Sequence, residues 1–299
     1  MVSVNKADFQ RLWSALITPM NADESVNYEA LERIVDLQIQ EGAEGFYCCG
    51  SSGEALLLTL EERKKVLEHV VRAANGRVPV ISHVGTIRTK DVIDLADHAL
   101  SNGAMAVSMI PPYYYKFSMD EIMGYYEAVI DALPNAPVIV YNIPQFTGVE
   151  FSKDNAGRLL ANGNIVGIKH TSTNLYGLER IGQAFPDKAL INGFDEQYLA
   201  ALSMGACATI GTSVNLFAPL FHRVREAYSA GDMALALRWQ RAINLRVEAT
   251  VKVGIFNAMK YGWTLRGIDC GFCRAPFRPL DAEARQAMAE LMALAMEPV

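Results

Sequence analysis

A lysine stands at the end of an apolar stretch that has the composition of a buried β-strand. The stretch is IVGIKHTS, residues 165–172, and the lysine is Lys169. Burial of an ammonium group is costly, so it lowers the pKa of a lysine and favours the neutral amine. A neutral amine is a nucleophile toward carbonyl carbons. The stretch alone therefore allows two interpretations, a nucleophilic amine and a strand-end lysine that reaches solvent or a carboxylate, and the rest of the chain must decide between them.

Three further groups of polar side chains could serve an amine that attacks a ketone. Ser51 and Ser52 lie between glycines in GSSGEA, where hydroxyl and amide N–H groups can converge on a carboxylate. Tyr141 begins YNIP and could carry protons, and Asp195 and Glu196 follow a glycine in NGFDE. Singly, each group has an ordinary structural explanation: a turn for the serines, a packed core position for the tyrosine and a solvated loop for the two carboxylates. Together they predict a site for a 2-keto acid.

The elements that must position these residues alternate along the chain between strand-like and helical runs. The strand-like runs are almost continuously apolar, which is typical of a parallel sheet buried on both faces. There are eight of them, and eight β/α units predict a TIM (β/α)8 barrel, an α/β fold with its active site at the carboxyl ends of the strands. The runs cover residues 14–19, 45–50, 78–85, 104–112, 137–144, 165–172, 188–195 and 208–215.

The remainder of the chain predicts additional helices in the same domain. Thr59 with Glu62, and Ser118 with Glu121, fit the capping box that begins a helix. The tail after Phe217 has helical periodicity throughout, and no linker interrupts it. We therefore expect one domain over residues 1–299, with the barrel at about 13–230 and a C-terminal helical extension at about 231–299.

Composition restricts the class of partner and the compartment. The 299 residues are 51% hydrophobic, and the net charge of −6 gives no basic surface for nucleic acid or an anionic membrane. Five cysteines make a poor disulfide framework for this length, and the first residues lack the apolar core of a signal peptide. A charge-free run at 197–221 is long enough to span a bilayer, but its polar residues favour a buried barrel segment. We expect a cytoplasmic protein with a small-molecule substrate.

Five motifs resemble, in order and spacing, the dihydrodipicolinate synthase/N-acetylneuraminate lyase family of class I aldolases. They are GFYCCGSSGEALLLTLEER, YNIP…TG, GIKHTS, NGFDE and IGTSVN, and the resemblance runs from about residue 13 to 279. It implies a Schiff base on Lys169, proton transfer by Tyr141 and carboxylate binding by Ser51 and Ser52. It also implies that the reaction needs no metal and no other cofactor.

Within the family, the chain is most similar to the lyases, which cleave N-acetylneuraminate, a sialic acid, reversibly to N-acetylmannosamine and pyruvate. Phe146 stands where the synthases carry an arginine before TG, and an apolar residue suits a sugar acid better than a dicarboxylic partner. Alternatives are an aldolase or dehydratase of another 2-keto-3-deoxy sugar acid, dihydrodipicolinate synthase, and a non-catalytic sugar-acid-binding barrel. By the same resemblance, the residues that bind the substrate further along its chain are Thr171, Gly193, Asp195, Glu196 and Thr212, the last in place of a serine.

Three other features complete the prediction. By resemblance, Tyr114 reaches into the site of a neighbouring subunit and completes a proton relay, which implies a homotetramer. His170 should point away from Lys169 on an extended strand, so we expect a structural role for it. CGFC, at 270–273, has the spacing of a redox or metal motif but lacks a second pair of ligands, so we expect it to be structural and to lie outside the barrel mouth.

Overall fold

The computed structural model describes residues 4–299, and the eight strands form a closed parallel barrel in the order β1 to β8. This confirms the predicted TIM barrel. All eight strands begin within two residues of the predicted positions and end before the predicted ends, and β1 is the one that begins early. Every strand residue is buried except Val166, which is why the strands read as apolar runs. The strands are β1 Leu12–Ala15, β2 Gly45–Cys48, β3 Val80–His83, β4 Ala106–Met109, β5 Val138–Asn142, β6 Ile165–His170, β7 Ala189–Asn192 and β8 Ala208–Gly211.

Helices follow the strands, and several begin where the sequence predicts. Both capping boxes are present: the Glu62 N–H donates to the Thr59 hydroxyl while the Glu62 carboxylate accepts from the Thr59 N–H, and Ser118 and Glu121 repeat the arrangement. The α-helices are α1 Tyr28–Gln40, α2 Leu60–Ala74, α3 Thr89–Ser101, α4 Met119–Ala132, α5 Pro144–Thr147, α6 Gly157–Leu160, α7 Leu175–Ala184, α8 Tyr198–Ser203, α9 Val214–Ser229, α10 Met233–Val253, α11 Ile255–Leu265 and α12 Ala282–Ala293. Short 3₁₀ turns lie at Lys6–Phe9, Ala55–Leu57 and Asp195–Gln197.

The C-terminal extension departs from the prediction of continuous helix. Gly254 has a φ of +98°, so α10 ends there and α11 begins as a separate helix. Gly267, with a φ of +83°, follows the end of α11 in the position typical of a helix stop. Residues 266–281 form no helix, and they include Pro276 and Pro279, which cannot donate the backbone hydrogen bonds of a helix interior.

The chain divides into two compact units. The first comprises Val80–Ile210 with the N-terminal segment up to Arg11, and it holds β3 to β8 and α3 to α8. The second comprises Leu12–Pro79 and Gly211–Val299, in which α9 packs against α10 and β1, and α1 against α2. The single domain expected from the sequence stays a prediction.

The described part of the chain, residues 4–299, shows neither a membrane-spanning helix nor a metal-binding cluster. No helix within residues 4–299 is long and apolar enough to cross a membrane. The charge-free run at 197–221 forms α8, β8 and the first half of α9 instead. The same residues contain no cluster of three or more histidines, cysteines, aspartates or glutamates that could hold a metal ion.

Candidate active site

Lys169 and Tyr141 lie side by side at the ends of neighbouring strands. The register of β5 and β6 pairs the two residues directly, and the Lys169 Nζ is 4.0 Å from the centroid of the Tyr141 ring. Lys169 is 4% exposed and Tyr141 is 3% exposed. The alternative of a lysine that reaches solvent is therefore wrong. The tyrosine faces the amine, as the sequence-based hypothesis requires.

Burial favours the neutral form of the Lys169 amine. It lowers the pKa of Lys169 below the ordinary value of 10.5, because desolvation disfavours the ammonium. Tyr141 and the Asp195 carboxylate act in the opposite direction, but their effect is smaller. The neutral, nucleophilic form of the amine is thus more populated than in an ordinary lysine.

The ends of β6 and β7 bring three of the predicted substrate-binding residues together. The Gly193 N–H donates to the His170 carbonyl oxygen at 2.9 Å. A Cβ on Gly193 would overlap the Thr171 hydroxyl, so only glycine fits beside that side chain. The Thr171 Oγ1 is buried and has no hydrogen-bond partner among residues 4–299, which leaves it available to a ligand. Asp195 is buried at the start of the turn that follows, whereas Glu196 is exposed.

His83 is a site residue that the sequence analysis missed. It ends β3, is 3% exposed, and its ring lies perpendicular to the Tyr141 ring with 5.9 Å between the centroids. The sequence contains a signal for this residue, because His83 is a polar residue near the carboxyl end of the apolar run VPVISHVG. In a TIM barrel such a position belongs to the catalytic end of a strand.

His170 has the structural role predicted for it. Its Nδ1 accepts from the Asn142 side-chain amide at 2.9 Å, and its Nε2 donates to the Asn174 carbonyl oxygen at 3.0 Å. Asn142 must present its NH₂ group, because its Oδ1 already accepts from the Phe151 N–H. Burial lowers the pKa of His170, which keeps this neutral tautomer in place.

The second unit holds Ser51, Ser52 and Thr212. The Ser52 Oγ is 2.7 Å from the Thr212 Oγ1, so the loop after β2 and the loop after β8 are joined by a hydroxyl pair. Ser52 is buried and Ser51 is partly exposed. Cys49 and Glu54, on either side of the serines, have φ values of 56° and 58°, in the left-handed region. Non-glycine residues in this conformation are strained and concentrate at functional sites.

Two further predictions concern Tyr114 and the CGFC motif. Tyr114 is 88% exposed, with a φ of 75°, and its ring packs edge-on against Tyr115. CGFC does not lie outside the barrel mouth as expected: the Cys270 carbonyl oxygen accepts from the N–H of Met20, in the loop that follows β1. Burial raises the pKa of Cys270 and of Cys273 to about 12, so neither thiol is reactive.

Comparison with known proteins identifies the relatives of this chain. The model of the dihydrodipicolinate synthetase family matches residues 8–295. An N-acetylneuraminate lyase from Rhizobium meliloti (strain 1021) is 41% identical over 286 residues, which cover 94% of this chain and 95% of the relative. The crystal structure of N-acetylneuraminate lyase from Fusobacterium nucleatum superimposes with a TM-score of 0.90 at 32% identity, covering 95% and 98% of the two chains. CdNal from Clostridium difficile, crystallised with mannosamine, gives a TM-score of 0.91 at 29% identity, covering 94% and 97%.

Proposed function

The chain belongs to the dihydrodipicolinate synthetase family, and we propose that it is an N-acetylneuraminate lyase that cleaves N-acetylneuraminate reversibly to N-acetylmannosamine and pyruvate. The observation that carries the proposal is the buried Lys169 amine beside Tyr141 at the carboxyl end of the barrel. The identity of 41% to a lyase over nearly the whole chain supports the choice of substrate. No metal or other cofactor takes part in the proposed reaction.

The reaction begins with attack of the neutral Lys169 amine on the C2 ketone of open-chain N-acetylneuraminate. The carbinolamine loses water to give an iminium, and Tyr141 carries the protons for this step. The iminium accepts the electron pair of the C3–C4 bond, which breaks as the C4 hydroxyl loses its proton to Tyr141, and N-acetylmannosamine leaves. The remaining enamine is protonated at C3, and water hydrolyses the resulting iminium to pyruvate and the free amine.

The other predicted residues bind the substrate in this scheme. Ser51 and Ser52 hold the carboxylate, and Thr212 supports Ser52 through the hydroxyl pair. The unpaired Thr171 hydroxyl bonds a substrate hydroxyl, and a site that pairs hydroxyls rejects substrates that lack them. The residues assigned to the sugar chain are Thr171, Gly193, Asp195 and Glu196.

The assembly and compartment complete the proposal. We assign Tyr114 to the proton relay of a neighbouring subunit in a homotetramer, and its 88% exposure in the isolated chain supports a role outside its own fold. None of the five cysteines, all within residues 4–299, forms a disulfide, which suits the reducing cytoplasm.

The test is the release of pyruvate from N-acetylneuraminate by the purified protein, with Lys169→Ala as the matched variant. We expect release that disappears in the variant, and a pyruvate adduct that borohydride traps on Lys169 alone. Full activity in Lys169→Ala would refute the Schiff-base mechanism. Trapping of pyruvate without cleavage of N-acetylneuraminate would keep the mechanism but refute the sugar, and other 2-keto-3-deoxy sugar acids would then be assayed in the same way.

A further inference from the structure

A fully buried ion pair lies directly behind the loop that carries Ser51 and Ser52. The Lys260 Nζ, on α11, is 2.5 Å from the Oε1 of Glu54, and both side chains are 0% exposed. Glu54 is the residue that ends the sequence GSSGE. Desolvation of two buried charges often costs as much as their attraction returns, so stability alone explains such a pair poorly. The pair is better explained by the backbone that it holds in place.

The pair anchors Glu54 in a backbone conformation that costs energy. Glu54 has φ and ψ of 58° and 32°, and a residue other than glycine keeps this strained left-handed conformation only where its surroundings enforce it. Both of its carboxylate oxygens are bound: Oε1 faces Lys260, and Oε2 accepts from the Arg274 N–H at 2.8 Å. Lys260 in turn donates to the Phe272 carbonyl oxygen at 3.0 Å. The tail of the chain therefore fixes Glu54 at two points.

The backbone of Glu54 is coupled to Ser51 by a hydrogen bond, in a turn that also contains Ser52. Its N–H donates to the Ser51 carbonyl oxygen at 3.1 Å, and the Gly53 N–H donates to the Gly50 carbonyl oxygen at 3.1 Å. The Thr18 hydroxyl donates to the Gly53 carbonyl oxygen at 2.8 Å and holds the turn from the other side. A change of φ at Glu54 would consequently shift the two residues whose hydroxyls we assign to the carboxylate.

We propose that Glu54 and Lys260 are positioning residues, which hold Ser51 and Ser52 in the geometry that binds the carboxylate of the 2-keto acid. The proposal rests on the proposed function, because that function assigns the carboxylate to these serines. Glu54 and Lys260 act through the loop and take no part in proton transfer. Their loss should therefore weaken the binding of pyruvate and of the sugar acid much more than it slows the turnover of bound substrate.

The test compares the double variant Glu54→Gln/Lys260→Met with the unsubstituted protein. The double variant buries no unpaired charge and keeps an acceptor for the Arg274 N–H, so its thermal unfolding midpoint should stay close to that of the unsubstituted protein. We expect the KM for N-acetylneuraminate, and the pyruvate concentration for half-maximal borohydride trapping, to rise by about tenfold, while kcat falls by less than about threefold.

Arg246→Met is the matched control for the loss of a buried cation. The Arg246 guanidinium, on α10, donates to the carbonyl oxygens of Ala242 and Ala295 and has no bond to the loop after β2. This variant should unfold at a lower temperature than the unsubstituted protein and should keep its KM. If the Glu54–Lys260 pair had a purely structural role, the double variant would behave like Arg246→Met: it would unfold at a lower temperature and keep its KM.

Three results are informative. A double variant with a native unfolding midpoint and unchanged half-saturation by pyruvate would overturn the proposal. If the double variant does not fold, Glu54→Gln alone decides, because glutamine keeps the size of the side chain but has one acceptor oxygen for two donors. A folded Glu54→Gln with unchanged KM would also overturn it. If the unsubstituted protein traps no pyruvate, the proposed function itself fails, and this inference falls with it.

Discussion

At the scale of single residues, the chemistry depends on where the chain buries Lys169. Tyr141 and Asp195 both act electrostatically on this amine, and both favour its ammonium form. Desolvation outweighs them, so the fold itself, and not a neighbouring cation, lowers the pKa of the amine. Asp195 therefore opposes the activation of Lys169, which is consistent with the substrate-binding role that we propose for it.

The sign of the Asp195 effect gives a pH-dependent prediction. Schiff-base formation requires the neutral amine, so its rate should rise with pH through a pKa that lies below the ordinary lysine value of about 10.4. Asp195→Asn removes a group that raises the pKa of Lys169, so it should move this limb to lower pH. The measurement is the rate of borohydride-trapped pyruvate adduct against pH. Glu196→Gln, which alters an exposed neighbour, is the control, and a limb that Asp195→Asn moves to higher pH would contradict the assignment.

Gly193 lacks a side chain at a position where the neighbouring Thr171 hydroxyl occupies the space of a Cβ. Because a Cβ at Gly193 would overlap the Thr171 hydroxyl, Gly193→Ala must displace that side chain. We expect kcat/KM for N-acetylneuraminate to fall by about tenfold or more, equivalent to about 1.4 kcal/mol, with little change in pyruvate trapping.

A second glycine provides the control for this substitution. Gly124 lies exposed within α4, where a Cβ meets nothing within 4 Å. Gly124→Ala should raise the free energy of unfolding by about 0.5–1 kcal/mol and leave the kinetics unchanged. Equal kinetic losses in Gly193→Ala and Gly124→Ala would show that Thr171 is not the cause.

At the scale of elements, the strands were predictable and the tail was not. Each strand is a short apolar run that can be recognised in the sequence. Because a TIM barrel pairs consecutive strands in parallel, Lys169 and Tyr141 are expected at neighbouring strand ends, and the register of β5 and β6 confirms this. The tail is divided at Gly254 and at the prolines of 266–281. The sequence has helical periodicity on both sides of these residues, so it did not predict the interruptions. The return of CGFC to the loop after β1 depends on contacts across some 250 residues, which no local pattern encodes.

The start of α2 illustrates how the tail stabilises an element. Glu62 closes the capping box with Thr59, and it also binds the guanidinium of Arg274 through both carboxylate oxygens. The Arg274 hydrogen bond is the main cause that lowers the pKa of Glu62 from 4.5 to about 2. The folded state therefore binds the Glu62 proton more weakly than the unfolded state does.

The corresponding prediction is a pH-dependent loss of stability in Glu62→Gln. At pH 7 the variant should unfold with about 2 kcal/mol less free energy than the unsubstituted protein, since a charge-assisted bond is lost. The stabilisation by the ionised Glu62 carboxylate is fully present above a pH of about 4.5 and is lost as the pH falls toward about 2. The difference in unfolding free energy between the two proteins should therefore shrink over that range. Urea unfolding at pH 7 and pH 3 measures it. Glu61→Gln, whose carboxylate is 77% exposed, should change the free energy by less than about 0.5 kcal/mol at either pH.

At the scale of the whole molecule, Tyr114 raises the question of what completes the site. It combines an exposed aromatic ring with a left-handed backbone, a strained conformation of the kind that concentrates at functional sites. In the proposed homotetramer this ring enters the site of a neighbouring subunit, so each site would contain Lys169 of one chain and Tyr114 of another. A site divided in this way makes a specific prediction about mixed assemblies.

Lys169→Ala and Tyr114→Phe should each have little activity alone, and their mixture should regain a part of it. In a mixed tetramer, a Tyr114→Phe subunit keeps its Lys169 and receives an intact tyrosine from a Lys169→Ala neighbour, so one complete site forms. The measurement is pyruvate release after the two variants are dissociated and reassembled together, with each variant treated alone as the control. If Tyr114 served the site of its own chain, no mixed site would contain both groups, and the mixture would remain as inactive as its components.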